Sequence, residues 1–288
     1  MDSKAAISIG ARLRGHRQTT GLAPEEMAAR LGISRAALYR AERGEIVKVE
    51  TLGRIAGELG VSIDDLFGVG VEYYAEAADL FERMGELERH ARRITGVFGP
   101  VSYLVTSGDY DRLLGEALAE SGAGAKGVAV REALARRKAG FAAGRAELRS
   151  LICLPDLDRL LARGVHGRGD LAAEAQADRR RAARTEVERL ARLFTAPPPR
   201  VEIRLIETAA PTASFEIVEH AAGEAHLVTS PFSLGERVNI ALGIGSVSRA
   251  PEAVETHRRV VERLWAEGAA GAEAAAIVAA LLARHPAA

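Results

Sequence analysis

Residues 22–44, LAPEEMAARLGISRAALYRAERG, constrain this chain more than any other stretch. Apolar or small side chains recur at Met27, Ala28, Leu31, Ile33, Ala37, Leu38 and Ala41. That is the three-and-four spacing of two short amphipathic helices, separated at Gly32–Ile33. Pro24 falls at a first-turn position, where its missing N–H costs no hydrogen bond. Glu25 and Glu26 sit beside it, at the positive end of the helix dipole. Ser34 is placed to cap the second helix, and Gly44 to end it in a left-handed conformation.

Helix, tight turn and helix, with small residues at the crossing, is the helix-turn-helix layout that projects its second helix into a DNA major groove. With the buried positions assigned, Arg35, Ala36, Tyr39, Arg40 and Arg43 remain on the outward face. Arginine pairs bidentately with the O6/N7 edge of guanine, alanine touches a thymine methyl, and tyrosine bonds a phosphate. Ser34 at the head of that helix and Lys48 just beyond it complete the expected set of DNA contacts. The other reading of this face is the solvated basic surface of an ordinary helical bundle.

The surrounding residues add a resemblance. From Ile9 to Gly68 the chain reads IGARLRGHRQTTGL, then the helix pair, then TLGRIAGELGVSIDDLFG. Five short helices in that order, ending in LGVSxDxLF, resemble the DNA-binding domain of the XRE (phage Cro/repressor-like) family. The resemblance implies an all-α, five-helix, lambda-repressor-like domain over residues 9–68. It also implies a structural ion pair between Arg17 and Glu42, and base or phosphate contacts from Arg35, Ala36 and Arg40. One position departs: the family usually carries a polar residue, often glutamine, where this chain has Pro24, so the family's operator geometry is not implied.

Composition is that of a soluble globular protein, 48% apolar and 27% charged in 288 residues, enough for two domains. Formal net charge is zero, which argues against a nonspecific nucleic-acid coat. Residues 1–68 hold ten Lys/Arg against nine Asp/Glu. A single copy is therefore expected to bind double-stranded DNA weakly, and a homodimer on a two-fold operator is expected to bind well. No apolar run has membrane-span length and no signal-peptide pattern opens the chain, so a cytoplasmic protein is expected. The one cysteine, Cys153, excludes an internal disulfide framework and a multi-cysteine zinc site within one chain.

Residues 1–8 read as a tail, and Thr51 as the cap of a helix running to Leu59. Residues 71–95 read as a connecting amphipathic helix, with Tyr73, Ala77, Leu80, Met84, Leu87 and Ile94 on one face. That face is either a coiled-coil-like dimer seam or a surface packed on the next domain. Residues 96–288 read as a larger α/β domain with a mixed sheet of about six strands, at 101–106, 148–155, 201–207, 213–220, 225–232 and 238–245. Helices are expected at 109–120, 128–149, 156–163, 170–195, 251–268 and 272–284. Glycine-rich 121–127 lacks GxxxxGK[ST] and follows a helix, so it reads as a loop and not as a phosphate cradle. The element order distantly resembles the phospholipase D-like effector domains that follow some prokaryotic DNA-binding domains. Their HxKxxxxD motif is absent: neither His166 nor His220 is followed by lysine two positions on.

Candidate ligand contacts in the larger domain are Tyr103, His166, Phe215, Phe232 and Trp265, whose alternative role is core packing. His220 and His226 face each other across an expected hairpin without an evident third ligand, so neither a metal nor a cofactor is expected. Arg179, Arg180, Arg181 and Arg184 interleave with Glu174, Asp178, Glu186 and Glu188, as a solvated face or an anionic-ligand site. Cys153 lies among apolar neighbours, as a core residue or a redox sensor. The glycines of 242–246 let a strand approach a helix or a ligand closely. The leading expectation is a dimeric transcriptional regulator, not an enzyme, whose larger domain senses a small molecule. Two other readings stand beside it. One is an antitoxin or phage-type repressor whose larger domain binds a protein partner; the other is a phosphodiester-directed enzyme with a DNA-binding tether.

Overall fold

The structure, a computed structural model, describes residues 3–45, 48–67, 70–97, 99–167, 169–208, 213–221 and 223–286. The chain divides into two compact units, one of residues 1–72 with 248–251 and one of residues 73–247 with 252–288. Gly68, the expected end of the first domain, lies outside the described residues.

The smaller unit holds five helices: α1 (Ser3–Thr19), α2 (Pro24–Leu31), α3 (Arg35–Glu42), α4 (Val49–Leu59) and α5 (Ile63–Phe67). They close around Leu13, Met27, Leu38, Ile55 and Leu66, all fully buried. Helix α1 begins at Ser3, so the expected tail through residue 8 is helical from its third position. The alanines that follow are strong helix formers. Between α2 and α3, Gly32 turns the chain at φ +61°, a left-handed conformation that costs glycine little. Helix α4 begins two residues before the expected cap: Lys48 is its N-cap, and the Thr51 N–H donates to Lys48 O inside the first turn. At α5, Ser62 Oγ accepts from the Asp65 N–H (3.0 Å) while the Asp65 carboxylate accepts from the Ser62 N–H (2.8 Å). This is a reciprocal cap at the helix start.

A seven-stranded mixed sheet follows the five helices and lies mostly in residues of the larger unit. Its elements run β1 (Val71–Tyr74), α6 (Ala77–Arg89), β2 (Ala91–Val97), a 3-10 turn (Tyr103–Val105), α7 (Gly108–Glu120) and α8 (Gly124–Ala143). Then follow β3 (Glu147–Cys153), α9 (Leu154–Arg163), α10 (Ala173–Thr195), β4 (Val201–Ile206), β5 (Ser214–His220), β6 (Ala225–Ser230), β7 (Gly245–Ser248), α11 (Pro251–Glu267) and α12 (Gly271–Arg284). Strand order is β1-β7-β6-β5-β2-β3-β4. Strands β2, β3 and β4 are parallel, and β5 is antiparallel to both β2 and β6.

Alternation along the strands divides the core in two. Ile94, Leu148, Ile152, Val218 and Val228 face a large cluster with α6 to α10 and α12. Val97, Leu151, Phe215, Ile217 and Leu227 face a smaller one with Val254, Val261, Leu264 and Trp265 of α11.

Four expectations are corrected. Residues 71–95 are not one helix: β1, α6 and β2 share them, because the helical spacing of Leu80, Met84 and Leu87 ends at Arg89. The sheet therefore starts before residue 96. Residues 101–106 are not a strand but a 3-10 turn, closed by Thr106 Oγ1 donating to Tyr103 O at 2.9 Å. Residues 238–245 do not form a strand either. The Asn239 side chain accepts from the Leu242 N–H and donates to Leu242 O, both at 2.9 Å, and so holds a local turn against strand pairing. Only from Gly245 does β7 begin, where a side chain would collide with Leu80 of α6. Finally, the helix expected over 128–149 is α8 at 124–143, which takes up part of the expected 121–127 loop and leaves 147–149 to β3.

Candidate nucleic-acid interface

Helix α3 is a short rod, about 12 Å long for eight residues. Ser34 Oγ accepts from the Ala37 N–H at 3.1 Å and fixes its start. Leu38 and Ala41 are buried, which leaves Ser34, Arg35, Ala36, Tyr39, Arg40 and Arg43 exposed together on its outer side. Lys48 is exposed as well, as the N-cap of α4. All seven predicted DNA contacts are thus accessible side chains of the small unit.

Two features hold this rod in place. Gly10 of α1 lies so close to the end of α3 that a β-carbon there would collide with the backbone of Ala41, Glu42 and Gly44. Beside it, Arg17 Nε donates to Glu42 Oε1 at 2.6 Å and Arg17 Nη2 to Glu42 Oε2 at 3.3 Å, while Nη1 donates to Leu22 O at 2.9 Å. Both side chains are buried, at 8% and 4% exposure. One cation meets one anion, bidentately, the geometry in which a desolvated pair best recovers its hydration.

The exposed arginines carry their own carboxylates. Arg35 sits 2.7 Å from Glu25, and its Nη2 donates to the Tyr39 hydroxyl at 3.2 Å. The Tyr39 hydrogen bond, then Glu25, raise Arg35 above the ordinary guanidinium value. Glu45 lies 3.1 Å from Arg43 and 3.9 Å from Arg40. Exposed pairs of this kind are weak, so a phosphate or a guanine edge can take the carboxylate's place.

In the larger unit the predicted ligand contacts do not converge. Tyr103 and Phe232 line one cavity on the α6–α8 side of the sheet, whereas Phe215 and Trp265 belong to the opposite core. Trp265 is stacked between Arg149 and Arg204, whose guanidinium carbons lie 4.1 and 5.0 Å from its ring centre. His166 pairs through its backbone with Glu236 and Val238, away from that cavity. The rings of His220 and His226 meet edge to face, 5.2 Å apart. No cluster of three metal-ligating side chains occurs among the described residues. Cys153 is buried and donates to Thr208 O at 3.0 Å. The arginine run is not one solvated face: Arg179 is buried, bonded to Glu120 and 2.7 Å from Glu116.

Sequence reasoning missed the charged group on the Tyr103–Phe232 cavity. Arg137 of α8 is buried and bonds Glu88 of α6, its Nε donating at 3.0 and 3.1 Å; its Nη2 reaches Glu216 Oε2 of β5 at 3.4 Å. Exposure of the three side chains is 5%, 2% and 1%. Burial first, and Glu88 second, push the Glu216 carboxyl well above its ordinary value. Burial works against the Arg137 charge, but Glu88 and then Glu216 outweigh it and raise the guanidinium. A signal did exist: Glu216 alternates in phase with Val218, on an inward face where a charge is out of place.

No helix among the described residues is long and apolar enough to cross a membrane. No curated protein matches the chain. Among solved structures, one similar to it is TrmBL2, an archaeal chromatin protein whose structure shows a novel mode of DNA binding. Identity is 10% over 76% of this chain, with a TM-score of 0.32, and this chain spans 59% of that one's length. Another is the apo form of the competence regulator ComR from Streptococcus vestibularis, at 17% identity over 66% of this chain and 72% of that one, with a TM-score of 0.22. The family model described as a helix-turn-helix domain matches residues 8–66, and the small unit of this chain is a helix-turn-helix domain.

Proposed function

We propose that this chain is a cytoplasmic, sequence-specific transcriptional regulator that binds double-stranded DNA as a homodimer and senses a small molecule. In this reading the small unit is an XRE-type, lambda-repressor-like domain. The larger unit is a phospholipase D-like effector domain that binds its ligand without turning it over. The observation that carries the proposal is the outer side of α3, where Ser34, Arg35, Ala36, Tyr39, Arg40 and Arg43 are exposed together on a capped helix seated by Gly10 and the Arg17–Glu42 pair. Near-neutral charge over residues 1–68 supports two copies acting together, since one offers little net attraction to phosphate.

A ligand with different affinity for two arrangements of the dimer shifts the spacing of its recognition helices, and so its hold on the operator. Arg40→Ala is expected to weaken binding to the native promoter by about 1–3 kcal/mol, measured by gel shift, with little change on scrambled DNA. Equal loss on both DNAs makes Arg40 a phosphate contact; no loss on either removes α3 from the interface.

A second reading, an antitoxin or phage-type repressor with a protein partner, draws on Leu242 and Ile244, which are 79% and 66% exposed. Purification from the native host with a stoichiometric partner favours it.

A further inference from the structure

The cavity between α6, α8 and the sheet has the charge balance of a receptor for a cation. Phe81, Met84, Tyr103 and Phe232 give it apolar and aromatic walls. The centre of a water-sized sphere can move through about 60 Å³ of it, several times the roughly 10–15 Å³ that one water needs. Also lining it are Arg137 and Glu216. With Glu88, they put two carboxylates against a single guanidinium, out of reach of bulk solvent. Arg137 is spent mainly on Glu88, and Glu216 Oε1 is buried with no hydrogen-bond partner. Nor does the Tyr110 hydroxyl, also on the cavity, serve it, since that hydroxyl donates to Leu234 O at 2.7 Å.

We infer that this cavity takes a small organic monocation with an apolar body, a primary ammonium whose N–H groups donate to Glu216 Oε1 and whose carbon skeleton lies against the aromatic walls. The inference rests on the effector-sensing reading above and names the chemistry of the effector. An ammonium supplies a donor for the orphaned oxygen and the second positive charge that lets Glu216 ionise. Of the aromatic walls, Phe81 and Tyr103 already face Arg137 and Lys138, at 5.7 and 5.4 Å, which leaves Phe232 as the ring for the ligand's cation. An anionic ligand meets two carboxyl groups and one guanidinium, and a neutral ligand leaves the Glu216 carboxyl with no charge to replace its proton. Because burial and Glu88 hold the Glu216 carboxyl towards its protonated form, the ammonium displaces a proton to solvent as it binds.

Isothermal titration calorimetry on the full chain at pH 7 tests this with three probes of one shape: 2-phenylethylamine, 2-phenylethanol and phenylacetate. The amine is expected to bind at least tenfold tighter than either of the others. Glu216→Gln and Glu88→Gln each restore one-to-one charge, and each is expected to bring the amine-to-alcohol ratio close to one. Titration in two buffers of different ionisation heat is expected to show proton release with the parent and none with Glu216→Gln. Melting curves of the two variants serve as the folding control. The inference is overturned if no probe binds, if the alcohol or the acid binds as tightly as the amine, or if Glu216→Gln keeps the amine preference. Gel shifts on the native promoter with and without 2-phenylethylamine separate it from the sensing reading. Glu216-dependent binding that leaves DNA affinity unchanged sinks the sensing and keeps the cavity's chemistry.

Discussion

Each unit of this molecule buries arginine against glutamate, and the two do it differently. In the small unit, Arg17 and Glu42 form a closed pair: one charge against one, two hydrogen bonds between them and a third to Leu22 O. In the larger unit, Glu88, Arg137 and Glu216 form an open set, with two carboxyl groups on one cation and one of their oxygens left without a partner. The closed pair has nothing left to offer a ligand, so its work is to seat α3 against α1. The open set is costly as it stands, because one of its buried oxygens is satisfied by nothing in the chain. Burial alone therefore does not say what a charge is for; the balance of its neighbours does.

The comparison breaks most readily at Arg17. Arg17→Ala leaves Glu42 buried without its cation and is expected to destabilise the small unit by about 3–5 kcal/mol, read from urea unfolding followed by far-UV circular dichroism. If the closed pair were incidental, the midpoint would barely move.

The open set should respond with the opposite sign. Glu216 faces Glu88 from α6 and Arg137 from α8, and its carboxyl titrates above the ordinary glutamate value of 4.5. A carboxyl raised on folding contributes stability that is full below that ordinary value and is lost as pH rises through the higher folded value. Glu216→Gln removes this loss. The variant is expected to match the parent near pH 4 and to exceed it at pH 8, because it has no proton to lose. Thermal melts across that range check it, and a variant less stable than the parent at pH 8 would make the triad a structural brace like Arg17–Glu42.

A third kind of pair, exposed and shared, extends the contrast to the surface. Glu45 faces both Arg40 and Arg43 at 50% side-chain exposure. Glu45→Gln is expected to leave stability unchanged and to tighten DNA binding about two- to five-fold at low salt, within the roughly 0.2–1 kcal/mol of a surface pair. Fluorescence anisotropy at two salt concentrations measures it, and the gain should shrink as salt rises.

How much of this could be read beforehand follows the distance over which each feature is decided. Pro24, Gly32 and Ser34 do their work within a turn of their own position, and the helix pair they bound was legible from the residues alone. Residues 238–245 look like a strand because Val238, Ile240 and Ile244 are strand formers. A single side chain, Asn239, decides against it through bonds whose geometry no spacing displays. The aromatic candidates could not be sorted from the sequence, since Phe215 and Phe232 lie on opposite sides of a sheet whose register is set by distant pairing. The charged triad was the least legible feature. Arg137 stands 49 residues from Glu88 and 79 from Glu216, so only the inward phase of Glu216 beside Val218 hinted at it, and nothing in the spacing named its partners.

The carboxylates beside Arg35, Arg40 and Arg43 have a consequence for how such a protein finds its target. On the proposed reading, every contact these arginines make with DNA exchanges Glu25 or Glu45 for a phosphate or a base edge, at a small cost to each landing. On that reading each pair trims the time spent on any one of the wrong sites a chromosome offers. The loss is recovered only where a base edge gives an arginine more than its carboxylate did.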